Sequence, residues 1–67
     1  MFNIEISSVP DRKNVVAEIW CDDNLVAEIN QENQELVLEI YFEKEKIKFP
    51  FNDFLETLKV ARDKLIQ

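Results

Sequence analysis

Apolar and polar side chains alternate with period two over roughly the first three quarters of the chain, and this pattern predicts a run of short β-strands. Phe2, Ile4 and Ile6 alternate with Asn3, Glu5 and Ser7 as a first strand. Ser8 to Asn14, which contains Pro10 and Asp11, reads as a loop. Val15, Ala17, Ile19 and Cys21 then alternate with Val16, Glu18 and Trp20. After the turn signal Asp22-Asp23-Asn24, a third strand sets Leu25, Ala27 and Ile29 against Val26 and Glu28. Gln31 to Glu35 turns the chain again. The fourth strand sets Leu36, Leu38, Ile40 and Phe42 against Val37, Glu39 and Tyr41. A short fifth strand, Lys46 to Phe49, follows the turn Glu43-Lys44-Glu45 and stops at Pro50.

The period changes after Pro50. Phe54, Leu58, Ala61 and Leu65 recur at helical spacing and give one apolar stripe. Asn52 or Asp53 is expected to cap this helix, and Asp53-x-x-Glu56 fits a capping box. Acids near the start and Lys59, Arg62 and Lys64 further on suit the helix dipole. The expected fold is α+β: an antiparallel meander of four to five strands, with one C-terminal helix packed on one face. Residues 1–67 are read as a single β-β-β-β-(β)-α domain. The chain has no glycine, so tight two-residue turns are expected to give way to longer loops built on Asn and Asp.

Pairing these strands with all apolar faces on one side restricts the register. Glu28 then falls opposite Glu39, Glu18 opposite Glu28, Trp20 opposite Val26, and Glu5 beside Glu18. A row of four glutamates crosses the face away from the helix, and Lys46 or Lys48 closes it at one edge. Like charges on adjacent strands cost part of the roughly 0.2–1 kcal/mol scale of cross-strand effects. Val16, Trp20, Val26, Val37 and Tyr41 flank the row, and apolar side chains rimmed by charge suit an interaction surface. Trp and Tyr are also enriched in binding hot spots. Glu5, Glu18, Trp20, Val26, Glu28, Val37, Glu39 and Tyr41 are therefore the candidate partner-binding residues. Two other readings stand beside this one. Glutamate and valine can simply fill a solvated sheet face, or the face can be buried in a homodimer.

Composition narrows the chemistry. A net charge of −6, from 14 acidic and 8 basic residues, argues against nucleic acid or an anionic membrane as partner. It favours a basic protein, although the same charge also keeps a small domain soluble. No histidine is present, so nucleophile–histidine pairs and triads are excluded. The lack of glycine excludes a Gly-rich phosphate loop. Cys21 is expected as a buried structural thiol, and a lone cysteine allows neither an internal disulfide nor a zinc site. Asp22-Asp23-Asn24 lacks the spacing of a calcium loop. The expectation is a non-enzymatic protein with no cofactor and no metal. The N-terminus shows no signal-peptide pattern and no apolar run reaches membrane-spanning length, which points to the cytoplasm.

The segments Ala17 to Ile29, Leu38 to Tyr41 and Phe54 to Leu65 give a layout that resembles short bacterial proteins of unknown function. It is similar in kind to small acidic immunity proteins and antitoxins. The resemblance spans residues 15 to 66 and rests on size, charge and layout, so it transfers no residue by position. It implies a protein that neutralises a toxin or enzyme, often a basic nuclease, by capping its active site with acidic and aromatic groups.

Overall fold

The alternating segments form one four-stranded antiparallel sheet in the order β1-β2-β3-β4, in a computed structural model that describes residues 1–32, 34–41 and 48–67. The strands are β1 (Phe2–Ser7), β2 (Val16–Cys21), β3 (Asn24–Asn30) and β4 (Val37–Ile40), followed by the helix α1 (Phe51–Ile66). Neighbours in sequence are neighbours in space, so the sheet is a meander. This is the α+β arrangement expected from the pattern. The fifth strand is corrected at its described end: Lys48 to Pro50 are not strand. Phe49 instead stacks on Phe54 and meets the edge of Phe2, with ring centroids 5.1 and 5.0 Å away. Aromatic packing thus draws this part of the chain to β1, at the far edge of the sheet from β4. Phe42, Lys46 and Ile47 lie outside the described residues.

The helix stripe packs as its spacing predicts. Ala61 is fully buried, and Phe54, Leu58 and Leu65 close around Ala17, Ile19, Ala27 and Ile29. Alanine on both surfaces lets helix and sheet approach closely, and its small side chain loses no rotamer freedom on burial. α1 lies over β2 and β1, reaches β3, and does not reach β4. The expected cap is not formed. Pro50 occupies the N-cap position, its carbonyl accepts from the Phe54 N–H at 3.1 Å, and no side chain caps the end. Proline ends the preceding extended segment, so the helix begins at Phe51 and Asn52 and Asp53 fall inside its first turn. Asp53 still favours the positive end of the dipole.

One glutamate register is realised along its whole length. Glu5 pairs with Glu18, Glu18 with Glu28, and Glu28 with Glu39. The Trp20–Val26 pairing is corrected, because Trp20 lies opposite Leu25. The cause is the β2–β3 turn, which is a two-residue connection, Asp22-Asp23, where a longer loop was expected. Asp22 takes φ 54°, a left-handed conformation that aspartate tolerates better than most non-glycine residues. The tight turn pairs Cys21 with Asn24 and puts the strand ends one residue out of step with Ile19–Ala27. A β-bulge between Ile19 and Trp20 absorbs the difference and leaves Val26 as the extra residue, buried in the core.

Candidate functional site

The sheet face away from α1 divides into two unlike halves. Over β3 and β4 the loop between β1 and β2 folds back onto the sheet. Val16, expected on an open face, is fully buried, whereas Val15 is exposed. Arg12 in this loop donates from Nε to Glu28 Oε2 at 3.2 Å, with Nη2 3.0 Å from the same oxygen. Its Nη2 also pairs with Glu39 Oε2. Asn30 Nδ2 donates to Glu28 Oε2 at 2.9 Å and bonds to Glu39 as well. The Tyr41 hydroxyl donates to Glu28 Oε1 at 3.3 Å. Glu32 pins the loop from the other side, accepting from the backbone N–H groups of Lys13 at 2.7 Å and Asn14 at 3.0 Å.

These contacts answer the repulsion that the register creates. Glu28 retains only 4% of its accessible surface, and a buried carboxylate is tolerated only when paired and hydrogen-bonded. Its two oxygens receive Arg12, Asn30 and Tyr41 between them. The expectation of an open acidic face is therefore corrected at Glu28 and Val26, which are both buried. Val26 is buried because the bulge turns it into the core, and Glu28 because Arg12, Asn30 and Tyr41 cover it. Glu39, Val37 and Tyr41 keep contact with solvent around the same cluster.

The charges and burial leave clear marks on titration. Burial, then the charge of Glu28, pushes the Tyr41 phenol above its ordinary pKa, while Arg12 opposes the rise. The amides of Lys13 and then Asn14 hold the Glu32 carboxyl below its ordinary value. For Arg12, partial desolvation works downward, and the Glu28 and Glu39 charges together overcome it and raise the guanidinium pKa.

Over β1 and β2 the face stays open. Glu18 is half-buried and accepts from the Ser7 hydroxyl at 3.0 Å and from Trp20 Nε1 at 3.4 Å. Trp20, Asn3, Glu5, Asp22 and Asp23 line a shallow depression of about 260 Å³. Glu5, Asp22 and Asp23 are exposed, and Trp20 is partly so. The two-residue turn and bulge bring this about, since they place Trp20 next to the hairpin aspartates and across from Asn3 on β1. Three carboxylates beside one aromatic face suit a cation, which gains both from the charges and from the ring quadrupole.

Of the sequence-derived candidates, Glu5, Glu18 and Trp20 come together in the open half. Glu28, Glu39 and Tyr41 gather in the closed half, with Val37 at its margin opposite Asn30. Arg12, Asn30 and Glu32, which complete the closed half, and Asn3, Asp22 and Asp23, which complete the open one, escaped the sequence reading. Asn30 continues the Val26, Glu28 alternation and was legible in principle. Arg12 carried no periodic signal, although an unmatched cation near a predicted carboxylate row is a usable hint. Cys21 is half-buried against the core cluster. Among the described residues no group of three or more ligands for a metal ion converges, and no helix is long and apolar enough to cross a membrane. No known protein family, curated protein or solved structure matches this chain.

Proposed function

We propose that the chain is a non-enzymatic protein-binding module that takes a basic partner on the open half of its outer sheet face. The observation that carries this reading is the depression in which Trp20 stands among Glu5, Asp22 and Asp23. Its size and charge suit a lysine or arginine side chain from a partner protein. The net charge of −6 steers such a partner, and the indole supplies the anchor. Inhibition of a basic toxin or enzyme, in the manner of an immunity protein or antitoxin, is the biological role that fits this chemistry. The closed half, with Arg12 lying over Glu28 and Glu39, ties the loop before β2 to β3 and β4.

The test is capture from an extract of the source cell at low and high salt, with wild type and Trp20→Ala side by side. A stoichiometric basic partner that is lost at high salt, and lost with Trp20→Ala, is the expected result. A partner held equally by both proteins would remove the open half from the interface.

A further inference from the structure

A second surface lies on the opposite side of the sheet, at the other edge. Leu38 and Ile40 of β4 pair with Ile29 and Ala27 of the core, so they share the face that α1 covers. The helix stops at β3, and Leu36, Leu38 and Ile40 remain 41%, 43% and 50% exposed. Leu36 and Leu38 line an apolar groove of about 310 Å³ with Ile29, Leu55 and Leu58. Among the described residues β4 is the last strand, and no lysine or proline from Leu36 to Tyr41 protects its edge.

We infer that this edge pairs with β4 of a second copy of the chain, joining two sheets into one of eight strands. This proposal is independent of the outer-face reading, since it uses the other end and the other face of the sheet. The backbone and the charges both accommodate a second copy. Tyr41 N–H donates to Val26 of β3 at 3.0 Å, so antiparallel alternation turns the N–H and C=O groups of Leu38 and Ile40 away from β3. A two-fold axis between the two Leu38 residues lets them exchange both hydrogen bonds. It also sets Ile40 opposite Leu36 of the copy. All six apolar side chains then share one covered face between the two helices.

The same axis places Glu39 opposite Val37 of the copy. Moving it by one residue would set Glu39 against Glu39 in a non-hydrogen-bonded pair, where side chains approach most closely. Charge therefore disfavours the register centred on Glu39 and is compatible with the one centred on Leu38. The groove walls do not oppose approach, because Lys59 is paired with Glu56 and Arg62 with Asp63 on the helix surface. An edge contact of this length buries less than the roughly 800 Å² per partner of a standard interface, so the dimer is concentration-dependent.

Sedimentation equilibrium across a wide concentration range tests this directly. A monomer–dimer equilibrium is expected, weakened at least about tenfold by Leu38→Lys, which sets two ammonium groups face to face across the new pair. Circular dichroism should show that variant still folded, and Ile40→Lys gives the same reading at an independent position. Isotope-filtered NOE spectra on mixed labelled and unlabelled protein should show contacts between Leu36 of one copy and Ile40 of the other. A monomer at every concentration would overturn the proposal, as would a dimer that both lysine variants leave unchanged or intermolecular NOEs confined to the outer face.

Discussion

Arg12 and Glu28 stand sixteen residues apart in the chain and 3.0 Å apart in space, with the guanidinium laid over a carboxylate that the sheet has almost closed off from water. This contact offsets the repulsion in the Glu28–Glu39 pair, one of the three consecutive Glu–Glu cross-strand pairs that this small domain carries. Arg12 joins Glu28 to Glu39, one positive charge against two negative, and Asn30 and Tyr41 supply the remaining donors.

Removing Arg12 should leave a buried carboxylate with its cation gone. Arg12→Met is expected to lower the urea midpoint clearly, and far more than Arg62→Met, whose exposed pair with Asp63 is worth little. The double variant Arg12→Met/Glu28→Leu should recover part of the loss. Equal midpoints for the two single variants would show that the Arg12 contact does not hold the loop.

Tyr41 is the chain's single tyrosine, so its ionisation can be followed alone by ultraviolet absorbance. It should titrate above the ordinary phenol value in the folded protein and at that value in denaturant. Glu28→Gln should lower it, and Arg12→Met should raise it further, because Arg12 opposes the upward shift. A phenol that binds its proton more tightly when folded favours folding below its unfolded pKa. That contribution is lost as pH rises through the folded value.

Glu32 works in the opposite sense. Its carboxyl is held below the ordinary value by the Lys13 and Asn14 amides, so its contribution is present above its unfolded pKa and disappears as pH falls through the folded one. Protection of the Lys13 and Asn14 amides, measured against their intrinsic exchange rates, should therefore fall as pH drops through the folded Glu32 pKa, which lies below the ordinary glutamate value. In Glu32→Ala these two amides should lose their protection at every pH. Unchanged protection in that variant would mean that the loop is held elsewhere.

The core is small enough that single truncations should be severe. Ile19→Ala, at a fully buried position, is expected to cost about 2–5 kcal/mol and leave little folded protein at room temperature. Ala61→Leu should cost about 1–3 kcal/mol by forcing the helix off the sheet. Chemical denaturation measures both, and a neutral Ala61→Leu would show that helix and sheet do not approach as closely as the burial of Ala61 implies.

The strands, the helix stripe and the glutamate register were legible because period-two and helical alternation, together with a single buried face, leave few arrangements open. Glu28 opposite Glu39 follows directly from keeping Ile29 and Leu38 inward. What escaped depended on backbone conformation and on contacts between distant residues. Asp22 adopts positive φ without glycine, and that one choice shortens the turn, creates the bulge and moves Trp20 from Val26 to Leu25. Arg12 sits in an aperiodic loop, so no local pattern shows it reaching across two strands. The helix starts at Phe51 because Pro50 supplies the first carbonyl, and a backbone cap of this kind leaves no side-chain signature in the sequence.

Trp20 is the chain's single tryptophan, so its indole N–H gives one signal that reports on the open half alone. The most direct measurement is a nitrogen–proton shift titration of the labelled protein with an arginine-rich peptide at low and high salt. A cation-binding open half requires shifts at the Trp20 indole and at Asn3, Glu5, Asp22 and Asp23. They should fade at high salt and leave Glu28 and Asn30 unmoved. Shifts centred on Glu28 and Glu39, or spread evenly over every exposed acid, would contradict it.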